Sequence, residues 1–167
     1  MIDLKAVRKT IWTWAEKATG IEFIWEDQDG MRPGRPYGSL KIITGPIKSG
    51  TDDIRQPSSG VFSIDGMRQI VVSVSVYGSD SDQYVNQLMK SLEKPSVHEY
   101  FRGTAMMSFI RSEGLQNLSL LRDTAFESKH QFDVSFGLVD NEVDADMGYI
   151  NTVEMTNEAN GDVVVIN

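Results

Sequence analysis

No cysteine occurs in the chain, which excludes disulfide cross-links, thiolate nucleophiles and cysteine-based zinc sites. Only two histidines are present, His98 and His130. Neither belongs to a spaced ligand pair such as His-Glu-x-x-His, so an edge-of-core or surface role is expected for each. No apolar run reaches the roughly 18 residues a membrane span needs, and Met1-Ile2-Asp3-Leu4-Lys5 lacks the charged-then-apolar layout of a secretory signal. The glycines around Met31 to Tyr37 match neither a dinucleotide nor a Walker phosphate loop, and no serine stands in Gly-x-Ser-x-Gly. Positive charge is scarce. Sixteen Lys and Arg face 24 Asp and Glu, for a net charge of −8, which argues against wrapping nucleic acid because phosphate affinity rests on neutralising cations.

What is present is ordinary globular material: 167 residues, 40% hydrophobic and 24% charged, enough for one domain with a real core. The stretch from Met67 to Leu92 organises the rest. Ile70, Val72, Val74 and Val76 fall on one face, with Val71, Ser73, Ser75 and Tyr77 on the other, as in a half-buried strand. Gly78 breaks it, and Ser79 or Asp80 is expected to cap a helix whose stripe is Tyr84, Val85, Leu88, Met89 and Leu92. Pro95 closes that helix.

Upstream, Asp3 is a fitting N-cap and Gly20 a fitting stop for an amphipathic helix carrying Leu4, Val7, Ile11, Trp14 and Ala15. Trp12 lies at the edge of that stripe, placed either as an interface anchor or partly buried against the sheet. Ile21 to Trp25 reads as a short strand, 27–37 as a loop, and Tyr37 to Thr44 as a second strand. Gly45 to Gly60, with Pro46, Gly50 and Pro57, reads as a long protruding loop. Asp65-Gly66 between apolar runs signals a hairpin turn.

Downstream, Ser96 to Phe101 suggests one helical turn and Thr104 to Arg111 a strand buried on both faces, before a turn at Glu113-Gly114. Leu115, Leu118, Leu120 and Leu121 form an apolar patch. Phe126, Phe132, Val134, Phe136 and Leu138 then alternate with Glu127, Lys129, Gln131, Asp133 and Ser135 along one long strand. Asn141 to Asp146 reads as an acidic turn, Tyr149 to Met155 and Val163 to Ile166 as late strands. The sum is a single α+β domain over 1–167, with a mainly antiparallel, twisted sheet, two main helices on one side, an arm at 44–60 and an acidic segment at 140–167.

Charge is unevenly spread. After Phe126 the acids are Glu127, Asp133, Asp140, Glu142, Asp144, Asp146, Glu154, Glu158 and Asp162, against Lys129 alone. Lys5, Arg8, Lys9 and Lys17 sit in the first helix. A basic end and an acidic end suit head-to-tail association. Asp140, Glu142, Asp144 and Asp146 lack the sixth-position glycine and twelfth-position glutamate of an EF-hand loop. No metal site, cofactor or catalytic group is indicated.

Three stretches, in this order and spacing, resemble a known family. Arg32-Pro-Gly-Arg-Pro-Tyr37-Gly precedes a strand. Arg68-Gln-Ile-Val-Val-Ser-Val-Ser-Val-Tyr77-Gly78 runs into a helix, and Asp123-Thr-Ala-Phe126-Glu127-Ser-Lys-His-Gln-Phe132-Asp133 opens the long strand. Together they resemble the neck or tail terminator proteins of tailed bacteriophages over about residues 1–140. Lys129-His130 and the acidic end beyond Asp140 depart from that pattern.

The resemblance implies a virion structural protein without catalytic residues. Such a subunit would form a hexameric ring on the tail tube, facing a head-completion or connector protein, and be assembled in the host cytoplasm. DNA would pass through the lumen without specific binding. A closed ring needs two unlike, complementary faces on each subunit. Candidates for the subunit or tube interface are Lys5, Arg8, Trp12, Arg32, Arg35, Lys48, Arg55 and Arg68; for a lumen or acidic interface, Asp133, Asp140, Glu142, Asp144 and Asp146. The competing readings are another head–tail connector or tail-tube-like subunit, and a small cytoplasmic ligand-binding domain with its site near Asp140 to Asp146.

Overall fold

The computed structural model describes residues 1–58, 61–122, 125–144, 153–156 and 163–166. In chain order the elements are α1 (Leu4–Thr19), β1 (Phe23–Trp25), β2 (Tyr37–Ser58), β3 (Val61–Tyr77), α2 (Ser81–Ser91), α3 (Pro95–Ala105), β4 (Met107–Ser112), β5 (Gln116–Asn117), β6 (Leu120–Arg122), β7 (Ala125–Glu127), β8 (Lys129–Asp144), β9 (Val153–Thr156) and β10 (Val163–Ile166). The main sheet runs β1-β2-β3-β8-β4, with β5 also on β8. Only the β1–β2 pair is parallel in it. This is an α+β fold with a mainly antiparallel sheet.

The centre is the β3–β8 ladder, unbroken from Phe62 opposite Asp144 to Tyr77 opposite Lys129. Its even-numbered residues, Ile70, Val72, Val74 and Val76 with Phe132, Val134, Phe136 and Leu138, are all buried in the core with residues of all three helices. Trp14 of α1 meets Phe101 of α3 edge-on at 5.7 Å, and Phe101 meets Phe136 of β8 at 5.2 Å. The Trp14 Nε1 donates to Ser91 Oγ at 2.9 Å, and that hydroxyl donates to the Leu88 carbonyl. One indole therefore ties α1 to α2 without leaving a buried donor unpaired.

α1 starts and stops where its caps place it. Asp3 accepts from the Lys5 and Ala6 amides, and Gly20 closes the helix in the left-handed region at φ 76°. The start of α2 differs from expectation: Asp80 holds the N-cap position with φ 58° and makes no side-chain cap bond. The first helical residue, Ser81, is instead drawn inward to Ser128 Oγ at 2.8 Å and His130 Nδ1 at 2.9 Å. Pro95 does more than end α2. It occupies the first turn of α3, where its missing amide hydrogen costs nothing, and that helix runs 11 residues instead of one turn.

The larger correction is the arm. Residues 45–58 are strand, continuing β2 along β3. Each residue that reads as a breaker falls at a register shift: Pro46 between Thr44 and Ile47, Gly50 between Ser49 and Asp53, Pro57 between Arg55 and Ser58. β2 is an edge strand here, and bulges on an edge absorb residues that a central ladder rejects. Asp65-Gly66 is no turn either; both residues lie inside β3, opposite Asn141 and Asp140. Gly66 has an ordinary negative φ. A Cβ there would overlap the Asp52 carboxylate and the Arg68 guanidinium, so the glycine makes room for side chains crossing the sheet.

Three further expectations change. β4 is an edge strand with Met107 buried but Ile110 exposed, not a strand covered on both faces. The long strand breaks at Ser128, between β7 and β8. Residues 141–144, read as a turn, extend β8 along β3. Asp146 and most of the expected 149–155 strand lie outside the described residues, of which β9 and β10 form a separate two-stranded sheet.

Candidate interaction surfaces

The two sides of the sheet end in unlike chemistry. At one edge, α1 and β1 enclose a groove of about 570 Å³, floored by Trp12, Phe23 and Trp25 and rimmed by Lys5, Arg8 and Lys9. Helical spacing puts Lys5, Arg8, Lys9 and Trp12 along one flank of α1. The Arg8 guanidinium lies 4.8 Å over the Trp25 ring and pairs with Asp27 at 3.4 Å. Lys5 and Lys9 are exposed and hold no ion pair among the described residues. The groove is therefore apolar below and cationic above.

The β1 edge itself is closed to strand addition. The Phe23 amide donates to Glu16 Oε1 at 3.3 Å, and its carbonyl accepts from Trp12 Nε1 at 2.8 Å. Side chains of α1 thus occupy the backbone groups that an added strand would need. Of the two alternatives for Trp12, the structure shows the indole partly buried and hydrogen-bonded at this edge.

On the other side, β2, β3 and β8 run on as a three-stranded arm. β4 reaches only Leu138, so the outer edge of β8 from Val139 to Asp144 carries no strand of the main sheet. Ile47, Met67, Val139 and Val143 are all about half exposed, at 50, 49, 55 and 59%. Their register places Met67 opposite Val139 and Val143 opposite Ser63, on the helix-free face. These apolar groups thus stand half exposed along one side of the arm.

Charges predicted to reach across subunits are in part consumed within this one. Arg68 Nη1 donates to Asp52 Oδ1 at 2.6 Å, Lys48 lies 3.0 Å from Asp52, and Arg68 Nε is 3.3 Å from Asp140. The Arg68 bond, and then that of Lys48, hold the Asp52 carboxyl below its ordinary value. Asp52 was not singled out by the sequence, because nothing local reveals which residues lie side by side across a bulged hairpin. Arg55 pairs with Asp53 farther out on the arm. Glu142 is exposed beside the cluster, and Asp144 ends β8 opposite Phe62.

The remaining predicted residues lie elsewhere. Arg35 bonds Glu127. Arg32 lines a polar cavity of about 360 Å³ with Tyr37, Tyr77 and Lys129. There the two tyrosines stack at 4.9 Å, and burial raises the Tyr37 phenol above its usual value against the opposing pull of Arg32. Asp133 sits on the helix-free face opposite Ser73, with one carboxylate oxygen buried and unpartnered among the described residues. The Ser81–His130 contact resembles half of a nucleophile–base pair, but Ser81 is only 1% exposed, so no substrate could reach its hydroxyl. Among the described residues no cluster of three or more His, Asp or Glu side chains could hold a metal, and no helix is long and apolar enough to cross a membrane.

Comparison with known proteins adds one decisive match. The family model described as phage neck terminator protein matches residues 5–163. No curated protein matches. One solved structure similar to this chain is 15% identical, with 85% of this chain and 97% of that one covered, at a TM-score of 0.38.

Proposed function

The chain belongs to the phage neck terminator family, and from that premise we propose that it is a ring-forming subunit that closes the tail tube and joins it to the head connector. The observation that carries this reading is the pair of unlike flanks on one sheet. A groove with an apolar floor and a cationic rim lies at the β1 side. An acidic, partly apolar arm edge lies at the β8 side. A heterologous contact between such flanks repeats by rotation and closes as a ring; six subunits is the number the family resemblance implies.

The arm supplies the second contact. Its exposed Ile47, Met67, Val139 and Val143 suit a neighbouring subunit or the last tube ring. The Arg68–Asp52–Lys48 cluster sits at the arm's root and braces strands β2 and β3 against each other. No catalytic role is assigned to any residue. The net charge of −8 fits a lumen that lets DNA slide without gripping phosphates. Assembly would take place in the host cytoplasm, with the finished ring residing in the virion neck.

Mass photometry of the purified chain, with electron microscopy of tail tubes incubated with it, tests the proposal. A closed ring, and a terminal ring added to tubes, are expected. A chain that remains monomeric up to its solubility limit and adds nothing to tubes overturns it. Long stacked tubes would favour a tail-tube-like subunit instead.

A further inference from the structure

β9 and β10 pair with each other in their own two-stranded sheet, apart from the main one. Two strands alone are marginally stable in water and need a surface to bury their side chains on. The sequence of this hairpin is strongly apolar: Val153 and Met155 in one strand, Val163-Val164-Val165-Ile166 in the other. Its charges are of one sign. From His130 to the end of the chain there is no Lys or Arg, while Asp146, Glu154, Glu158 and Asp162 fall in or around the hairpin.

The α1–β1 groove has the complementary chemistry. Its floor is aromatic, its rim is Lys5, Arg8 and Lys9, and two of those cations hold no ion pair among the described residues. Because Glu16 and Trp12 already occupy the Phe23 backbone groups, a guest cannot extend the sheet by hydrogen bonding to Phe23. It must seat by its apolar face and its charge. A two-stranded element that already satisfies its own internal ladder fits that requirement better than a lone strand.

We propose that the groove formed by Trp12, Phe23, Trp25, Lys5, Arg8 and Lys9 receives the acidic C-terminal hairpin of a second copy of this chain. The inference rests on the ring reading above and deepens it: the part of the acidic carboxyl-terminal half that enters the groove is the hairpin that follows β8 in the chain, not the β8 edge itself. Each copy would offer a groove at one side and a hairpin to the following copy, so the contact repeats around the ring.

A charge-swap experiment on the full-length chain tests it. One variant carries Lys5→Glu and Lys9→Glu; the other carries Glu154→Lys and Glu158→Lys. Lys5 and Lys9 are exposed, and circular dichroism with thermal melting verifies that both variants fold. Each variant alone should self-associate at least about tenfold more weakly than wild type, as expected for close charge pairs turned repulsive. Mixing the two should restore rings, because alternating subunits then meet only opposite charges. Restoration in a chain carrying all four substitutions but not in the mixture would mean that each hairpin folds onto its own groove, and would overturn the exchange between copies. Wild-type rings with both folded variants assembling normally would overturn the docking contact while leaving the ring intact. Wild type that never forms a ring would overturn the ring reading itself.

Discussion

At the scale of single residues, two glycines and one carboxylate show how little of a side chain's purpose is local. Gly38 of β2 lies against the buried Phe23 ring, and a Cβ at that position would fall inside it. Phe23 is 2% exposed, and its ring would have to be displaced from the packing it now holds. Gly38→Ala should therefore cost about 1–3 kcal/mol, as overpacking usually does, read as a lower urea midpoint at unchanged slope. Gly66→Ala should instead push Asp52 away from Arg68, loosening the arm while leaving the core intact. Amide exchange of β2 and β3 beyond Thr44 should rise, with α1 unaffected. The same cluster sets a pH dependence. The folded Asp52 carboxyl is held below its unfolded value by Arg68 and Lys48. Its stabilising effect is thus present above the ordinary carboxylate range, about pH 4, and is lost as pH falls through the folded value. Arm protection measured from neutral to acidic pH should fall more in wild type than in Asp52→Asn, which starts lower.

At the scale of elements, the apolar alternation of β3 and β8 was legible because period two leaves a trace in any strand covered on one face. The helices α1 and α2 were legible for the same reason at helical spacing. Phe136→Ala should cost about 3–5 kcal/mol, since its ring meets both Trp14 and Phe101; chemical denaturation measures this directly. The arm at 44–60 reads as a loop, and not as strand, because bulges hide a strand. Pro46, Gly50 and Pro57 each occupy an irregularity, so the residues that advertise a loop are those an edge strand uses to twist. That bulged outer edge also protects the arm from uncontrolled pairing with other chains, as the capped Phe23 protects β1. The sequence understates α3 because Pro95 reads as a stop, although proline serves equally well at the first turn of a new helix.

For the whole molecule, the assignment to neck terminators rests on the family match over residues 5–163, and the proposed ring on the two unlike flanks. If those flanks meet through charge as well as apolar contact, self-association should weaken as salt rises from about 0.05 to 0.5 M, because exposed pairs are screened. It should not vanish, since the groove floor and the arm's exposed Ile47, Met67, Val139 and Val143 are apolar. Sedimentation velocity across that range gives the answer. Salt-independent assembly would mean that the basic rim of α1 faces solvent in the ring.

The amino-acid order alone determined the α+β class, the core face of the central ladder, the caps of α1 and the separation of basic and acidic ends, because periodicity, capping and charge are properties of neighbours along the chain. The tertiary structure decided which charges remain available to a partner. Lys48, Arg68 and Asp140 converge on one another and on Asp52 at the arm's root, whereas Lys5 and Lys9 stay exposed on the groove. That difference depends on the register of a bulged hairpin, which is set by contacts between strands, and no local pattern encodes it.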